Sequence, residues 1–272
     1  MRRSDNFRGG LSTIGSLCQL SILSPFPSME QDAKPPLSHA RNVPANLLKS
    51  IPEAPLTRMD AKTYYEWYNR EDPFSPYHPE KETTFSLRLD WFIRNIPPQS
   101  KILDYGCGEG VALAGLSEKG NIHTDSCGVD IAENAVKKAS TRFPELKFLQ
   151  TNPDGTTSFA DESFDAIVAS EVIEHIFDTD GVFKEFRRLL RPSGRLLLSC
   201  PYHGFLKDLA ILLAGKMDAH YHDPYSQHIR YYSRVTLRLI HERHGFHLIK
   251  QSGVGRIPFL WNSMVTLAIK LA

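Results

Sequence analysis

The sequence has few cysteines, no excess charge of either sign and no long apolar run, and each shortage argues against a class of protein. Four cysteines in 272 residues are widely spaced and form no Cys-x-x-Cys pair, which argues against a disulfide framework or a zinc ribbon. The 32 Lys and Arg residues nearly balance the 31 Asp and Glu residues, so no net positive field favours nucleic acid. The most apolar stretches, residues 209–214 and 264–272, are much shorter than the roughly 20 residues of a membrane-spanning helix.

The composition fits one main globular domain. Apolar residues make up 41% of the chain, enough to bury one substantial core, or a core with a flexible arm attached. The scattered cysteines favour a reducing compartment, so we expect a cytoplasmic protein. Peripheral contact with a membrane surface stays open, and the composition does not fix an oligomeric state.

The first 58 residues differ in composition from those that follow. Residues 1–58 are rich in Ser, Pro and Asn and lack sustained periodicity, so we predict a flexible, disordered arm. Within it, residues 1–27 carry three arginines, one acidic residue and several serines, a composition similar to that of an organellar transit peptide or a poor signal sequence. The alternatives are an untargeted tail or a protein that starts at Met29.

Residues 59–98 are predicted to form a helical cap rich in aromatic residues. Four apolar residues recur there at three- and four-residue intervals, which places them on one face of a helix. These residues are Phe85, Leu89, Phe92 and Ile96. A proline pair at residues 97–98 then ends the helix. The main domain is predicted to occupy residues 99–272.

A glycine-rich turn joins a short apolar strand to a helix at the start of this domain. From residue 101 to 110 the chain reads Lys-Ile-Leu-Asp-Tyr-Gly-Cys-Gly-Glu-Gly. Glycines permit positive φ angles and let a ligand approach the backbone, and the free N–H groups of the helix can receive an anionic group. The spacing of Gly106, Gly108 and Gly110 is not the Gly-x-Gly-x-x-Gly of a dinucleotide-binding fold. A purely structural tight turn is the alternative.

This segment resembles the first motif of class I S-adenosylmethionine-dependent methyltransferases. The resemblance implies that Asp104 and the three glycines hold the methionine end of S-adenosylmethionine. It also implies a second strand ending in an acid that binds the ribose hydroxyls, and Asp130, 24 residues after Gly106, has that position. The alternative role of Asp130 is to cap the helix that follows it.

Strand and helix patterns continue to alternate along the domain. We predict strands at residues 146–150, 164–170, 195–200 and 264–271, a helix at about 179–190 and a turn at 191–194. The predicted fold class is α/β: a Rossmann-like, doubly wound and mostly parallel sheet of seven strands with helices on both faces.

Further positions complete the predicted cofactor site. The resemblance implies an acidic contact to the adenine amino group after the third strand, where this sequence has Thr-Asn-Pro-Asp-Gly at residues 151–155. Asn152 matches that acid by position and Asp154 matches it by chemistry, so both are candidates. Ile131, at the end of the second strand, and Ser170, at the end of the fourth, also belong to the predicted cofactor-binding set.

Two acids and a histidine follow the fourth strand, at the sheet edge where open α/β folds bind ligands. If the segment is a helical turn, Glu171, Glu174 and His175 share one face, because residues three and four apart are neighbours. With a second histidine downstream they could hold Mg²⁺ or another divalent ion. His228 is the candidate for that histidine, and the rivals are His220 and His222.

The Glu-x-x-Glu-His stretch is similar to two methyltransferase subfamilies, the ubiquinone-pathway O-methyltransferases and the enzymes that methylate the 2′-hydroxyl at small-RNA ends. Both use such acids and histidines as a metal site, whereas other family members have a similar stretch and no metal. His175 is also the predicted general base toward an acceptor hydroxyl.

The leading function is methyl transfer to a small-molecule or lipophilic acceptor. A predicted lid insertion, residues 203–227, carries an apolar helical face that suits a lipophilic acceptor, although the same face could simply pack on the domain. An RNA 3′-end 2′-O-methyltransferase is the first alternative. A noncatalytic cofactor-binding protein is the second, because fold alone does not establish activity.

Overall fold

A computed structural model describes residues 83–222 and 228–271 of the chain. Three predicted features therefore lie wholly or partly outside the described residues: the arm at 1–58, positions 59–82 of the cap and positions 223–227 of the lid. The described residues belong to one compact unit, residues 52–272.

The described elements alternate between strand and helix through most of the chain. In order they are α1 (Thr83–Asn95), β1 (Ile102–Tyr105), α2 (Val111–Gly120), β2 (Cys127–Asp130), α3 (Glu133–Arg142), β3 (Lys147–Gln150), β4 (Phe164–Ser170), a 3₁₀ turn (Ile173–His175), α4 (Thr179–Leu189), β5 (Leu190–Pro201), α5 (Phe205–Leu213), α6 (Met217–His220), α7 (Arg234–Arg243), β6 (Phe246–Val254) and β7 (Ser263–Lys270).

The strands form one seven-stranded sheet in the order β3-β2-β1-β4-β5-β7-β6. The first five strands pair in parallel, and β7 pairs antiparallel with both β5 and β6. The sheet is therefore mixed but mostly parallel, which confirms the predicted fold class. The final strand, predicted at residues 264–271, is β7.

Helices cover both faces of the sheet because successive residues of each central strand point to opposite sides. On β4, Ile167 belongs to the core cluster that contains Phe183 and Phe186 of α4. Its neighbour Val168 belongs to the other cluster, with Phe92 of α1. The near-continuous apolar sequence of β4 is thus explained by burial on both faces.

β5 begins earlier than the sequence pattern predicts. Leu190 pairs with Phe164 and Arg195 pairs with Ala166, so a step of five residues on β5 faces a step of two on β4. The extra residues bulge out of the ladder, and the turn predicted at 191–194 is this bulge.

The predicted lid contains two short helices, α5 and α6. α5 leaves apolar side chains at the surface, and Phe205 and Leu213 are each 78% exposed. Lys207 of the same helix turns inward, where its Nζ donates to the carbonyl of Tyr202 at 2.7 Å. Within residues 83–222 and 228–271, no helix combines the length and the apolar character that a membrane crossing requires.

Truncation of a core aromatic residue should measure how strongly α4 is held on the sheet. Phe186 is fully buried and packs edge-on against Tyr105, with 5.0 Å between ring centroids. We expect Phe186→Ala to lower the free energy of unfolding by about 3–5 kcal/mol, because it leaves a cavity. Urea denaturation followed by circular dichroism gives this value. The control Leu239→Ala, at an exposed position of α7, should change it by less than about 0.5 kcal/mol; equal losses would contradict the packing.

Candidate functional site

The candidate site lies at the carboxyl edge of the sheet, around the ends of β1, β2 and β4. β1 pairs with β2 on one side and with β4 on the other, so the chain reverses its direction of winding between β1 and β4. A crevice opens at such a switch point because the loops that follow the two strands run to opposite sides. Most of the residues predicted for the site follow these strands.

The glycine loop after β1 has a backbone that only glycine adopts readily. Gly106, Gly108 and Gly110 have φ angles of 72°, 51° and 82°. A Cβ on Gly106 would lie 2.7 Å from the side chain of Val172, and one on Gly110 would lie 2.6 Å from Phe148. Beside Gly108, in contrast, a Cβ would meet no atom within 4 Å. The loop is therefore packed at both ends and open in the middle, where a ligand can approach it.

Asp130 links the end of β2 to this loop. Its Oδ2 accepts from the backbone N–H of Gly108 at 2.9 Å, and its Oδ1 accepts from the N–H of Ala132 at 2.9 Å. Burial raises the pKa of Asp130, and these backbone hydrogen bonds oppose that effect. Asp130 does not cap the following helix, because Ala132 is the N-cap residue and no side chain caps the helix there. The carboxylate instead bridges the glycine loop and the backbone N–H of Ala132.

Asp104 is a buried acid of β1 beside the same loop. It is 1% exposed, and its Oδ2 has no hydrogen-bond partner among the residues that the structure describes. Burial raises its pKa to about 7, a hydrogen bond from the backbone of Leu113 lowers it, and the charge of Asp130 raises it further. A cationic donor placed in this crevice would relieve the unfavourable burial of the Asp104 carboxylate.

The two candidates for an adenine contact lie in a turn after β3. Asn152 donates from Nδ2 to Thr156 Oγ1 at 2.9 Å. Asp154 Oδ1 accepts from both the backbone N–H and the hydroxyl of Thr156, which lowers the pKa of Asp154. Both side chains are exposed and are used within the turn. Ile131, which is half-buried, accepts at its carbonyl from Gln150 Nε2.

The end of β4 brings Ser170 and Glu171 to the crevice. Ser170 Oγ lies 3.3 Å from Ser199 Oγ on β5. Glu171 has a φ of 55°, so the helical turn starts later than the spacing predicts. Its Oε1 lies 3.9 Å from Nε of Arg88, a buried residue of α1 whose Nη1 donates to Ser263 Oγ at 3.2 Å. Arg88 was missed because the sequence pattern around it indicates only an apolar helix face.

Glu174, His175 and His228 come together beyond Glu171. Each offers one donor atom, and these three atoms lie within 4.8 Å of one another. Glu174 is buried, and neither of its carboxylate oxygens has a hydrogen-bond partner in the described part of the chain. Burial and the charge of Glu171 hold the pKa of Glu174 well above its usual range. Burial lowers the pKa of His228.

Backbone and arginine contacts hold His228 in this position. The N–H groups of Ile229 and Arg230 both donate to the carbonyl of Glu174, at 3.0 and 3.1 Å. Nε of Arg230 also donates to the carbonyl of Ile176 at 3.1 Å. The two rival histidines stay outside the group. Of these, His222 lies at the surface with its Nδ1 3.0 Å from Asp218 Oδ1.

Comparisons with known proteins identify relatives of this chain. A ubiquinone biosynthesis O-methyltransferase of Paracidovorax citrulli is 28% identical over 141 residues, which cover 50% of this chain and 56% of that protein. The protein of the same name from Stutzerimonas stutzeri is 25% identical over 157 residues, covering 56% of this chain and 64% of its own length. The match thus spans less than two thirds of the length of these relatives.

A solved structure shares the fold. A SAM-dependent methyltransferase of Methanosarcina mazei superposes with a TM-score of 0.53 at 22% identity, over 66% of this chain and 97% of that chain. The model of the methyltransferase-domain family matches residues 75–251, well over half of the sequence. This chain therefore belongs to the methyltransferase-domain family and has the class I, Rossmann-like fold of S-adenosylmethionine-dependent methyltransferases.

Proposed function

We propose that the protein binds S-adenosylmethionine at the glycine loop and transfers its methyl group to a hydroxyl of a small, lipophilic acceptor. One observation carries the proposal: two acids, Asp104 and Asp130, converge on a loop whose middle, at Gly108, is open. The ammonium group of the methionine end would pair with the unsatisfied Asp104. The ribose hydroxyls would donate to Asp130.

Positioning accounts for most of the catalysis in this proposal. The sulfonium of S-adenosylmethionine is already activated, so the protein mainly aligns the acceptor with the methyl group and excludes water. Val172 packs on Gly106, and Glu174 and His175 follow two and three residues later in the chain. The acceptor-facing groups therefore adjoin the cofactor loop. When no metal ion is bound, His175 is the group we assign to receive the proton of the acceptor hydroxyl; ligation of a metal by His175 is the alternative role.

The choice of a lipophilic hydroxyl acceptor is supported by two observations. The matched relatives are named ubiquinone biosynthesis O-methyltransferases. In addition, α5 exposes several large apolar side chains beside the site, among them Phe205 and Leu213. An exposed apolar helix of this kind also fits peripheral contact with a lipid surface.

The Glu174, His175 and His228 group fits a divalent ion, as the family resemblance implies. The fit rests on the buried Glu174 carboxylate, which lacks a hydrogen-bond partner in the described chain, and on the convergence of the three donor atoms. Two imidazoles and one carboxylate suit Zn²⁺, Mn²⁺ or Fe²⁺ better than Mg²⁺, which prefers oxygen ligands. When bound, such an ion would supply Lewis-acid activation of the acceptor hydroxyl.

Two other functions use the same fold and are separated by simple assays. RNA-end methylation would require RNA binding that weakens steeply with salt. A noncatalytic protein would bind cofactor without transferring tritiated methyl groups to lipid, small-molecule or RNA extracts. Label recovered in the lipid or small-molecule fraction supports the proposed function, and label recovered only in RNA contradicts it.

Removal of the Asp130 carboxylate should weaken cofactor binding. We expect Asp130→Ala to cost about 1–3 kcal/mol of binding free energy, because charge-assisted hydrogen bonds to the ribose are lost. Calorimetric titration of the folded variant with S-adenosylmethionine measures the loss. Asp125→Ala, at an exposed position just before β2, is the control and should keep the wild-type affinity. Equal affinities for all three proteins would remove Asp130 from the site.

Replacement of Asp104 should have opposite effects on stability and on binding. Above pH 7 the buried Asp104 is ionised in the folded chain, and its raised pKa means that stability falls as the pH rises from about 4 to 7. Asp104→Asn removes this cost, so its melting temperature without cofactor should exceed that of the wild type at pH 8 by a few degrees, and by less at pH 5.

The same Asp104→Asn variant should bind S-adenosylmethionine at least about tenfold more weakly, because it cannot pair with the ammonium group. Thermal unfolding at both pH values and calorimetry at pH 8 test the two effects. A variant that is less stable than the wild type at pH 8, or that binds the cofactor with unchanged affinity, contradicts the role of Asp104.

Metal retention can be measured without any assay of activity. After removal of metals with a chelator and addition of Zn²⁺ or Mn²⁺, we expect wild-type protein to keep about one ion through dialysis and to melt at a higher temperature. His228→Ala should bind the ion at least about tenfold more weakly. His222→Ala, which alters an exposed histidine outside the group, should behave as wild type; equal metal loss in both variants would exclude this site.

A further inference from the structure

A pocket of about 500 Å³ lies between α5, α6 and the segment that follows β5. Its walls combine apolar side chains with a small polar group. The apolar part includes Leu209, Leu212 and Met217, and the polar part consists of His203, Asp208 and Tyr221. An apolar cavity with a few convergent polar groups is the usual form of a small-molecule site.

The three polar residues form a chain of hydrogen bonds. The hydroxyl of Tyr221 donates to Asp208 Oδ1 at 2.6 Å, and Nδ1 of His203 lies 2.9 Å from the same hydroxyl oxygen. A phenol has one proton to donate, and an ionised carboxylate can only accept. Because the Tyr221 proton is directed to Asp208, Nδ1 of His203 must carry the proton that joins it to Tyr221.

This series of hydrogen bonds fixes the protonation state of Nε2, the other ring nitrogen of His203. With the proton on Nδ1, Nε2 keeps a lone pair, and no residue within 83–222 or 228–271 forms a hydrogen bond to it. The ring is held between two aromatic neighbours, with centroids 5.4 Å from Tyr221 and 5.0 Å from Tyr231. Burial lowers the pKa of His203 to about 4, so the imidazole is neutral near pH 7.

The pocket adjoins the groups assigned to methyl transfer. Ser199 of β5 pairs with Ser170, so the segment carrying His203 leaves the sheet beside the one carrying Glu174. His203 lies near enough to His228, and Lys207 of α5 near enough to Glu171, for each pair to interact electrostatically. A molecule in the pocket can therefore extend toward the Glu174, His175 and His228 group.

We propose that this pocket holds the apolar body of the methyl acceptor, and that Nε2 of His203 accepts a hydrogen bond from a hydroxyl on that molecule. The inference rests on the proposed function and adds a requirement to it. The acceptor must carry a hydrogen-bond donor at the end that faces His203. An otherwise identical molecule without that donor binds with lower affinity. His203 is thus a specificity-determining residue, positioned by Tyr221 and Asp208.

The test compares two probes that differ only in the donor, 4-propylphenol and 4-propylanisole. The full chain is titrated with each by calorimetry. We expect the wild type to bind the phenol roughly fivefold to tenfold more tightly than the anisole. This ratio corresponds to the net free energy of one hydrogen bond. Tyr221→Phe keeps the aromatic ring but frees His203 to change tautomer, so the preference should fall to about twofold or less.

The matched control is Tyr231→Phe, which alters a tyrosine that lines the same pocket and packs on the same His203 ring. It should keep the wild-type preference for the phenol. The tautomer gives an independent readout, because ¹⁵N spectra of histidine-labelled protein distinguish a proton on Nδ1 from one on Nε2. We expect the Nδ1–H form for His203 in the wild type and its loss in Tyr221→Phe.

Several results would overturn the inference: failure of either probe to bind, equal affinity for both probes, the same preference in the two tyrosine variants, or a proton on Nε2 of His203 in the wild type. Titration of the same samples with S-adenosylmethionine shows whether the pocket assignment alone is wrong or the proposed function is wrong. Cofactor binding without a preference for the phenol rejects only the pocket assignment. A preference for the phenol without cofactor binding rejects the proposed function.

Discussion

The contact between the glycine loop and the end of β2 is the constraint on which the rest of the site depends. The N–H groups of Gly106 and Cys107 both donate to the carbonyl of Val129, at 2.8 and 2.9 Å. One residue later along β2, Asp130 takes the N–H of Gly108. These bonds turn the loop back over the sheet edge, so backbone donors, the buried Asp104 and the half-buried Asp130 face the same crevice. Neighbouring elements then add their groups around this fixed point.

The loop after β4 connects the glycine loop to the Glu174, His175 and His228 group. Val172 occupies the space that a side chain at position 106 would need, so the absence of a Cβ there serves packing as well as backbone conformation. The 3₁₀ turn beyond Val172 presents Glu174 and His175, and the carbonyl of Glu174 receives the two N–H groups that hold His228. The glycine loop and the Glu174, His175 and His228 group are therefore parts of one packed unit.

The fold could be predicted from the sequence because its signals are local. The apolar strand β4, the glycine turn and the helical pattern of α1 each follow from periodicity and backbone preference. The bulge in β5 was recognised only as a turn, because Leu190 joins the sheet before that turn and sequence alone does not give strand register. Residues 1–82 and 223–227 are outside the described part of the chain, so the predictions for the arm and for parts of the cap and lid stay predictions.

Part of the candidate site could also be predicted from the sequence, because its signals are local. Asp104, the glycines and Asp130 stand in a short βαβ unit with fixed spacing, whereas the partners of other groups are far away in the chain. Arg88 reaches Ser263 across 175 positions, and nothing near either residue indicates the contact. Likewise, the order of hydrogen bonds from Asp208 through Tyr221 to His203 depends on the packing of α6 against α5, which no local pattern specifies.

The hydrogen bonds of Arg230 restrict where a molecule can enter the crevice. Its guanidinium donates to Thr179 Oγ1 and to the carbonyls of Ile176 and Phe177, while its backbone is tied to Glu174. An opening motion on that side must break several hydrogen bonds at once. α5, in contrast, keeps apolar surface toward solvent. If the acceptor is lipophilic, as we propose, its less costly entrance is past α5, because entry on the Arg230 side requires these hydrogen bonds to break.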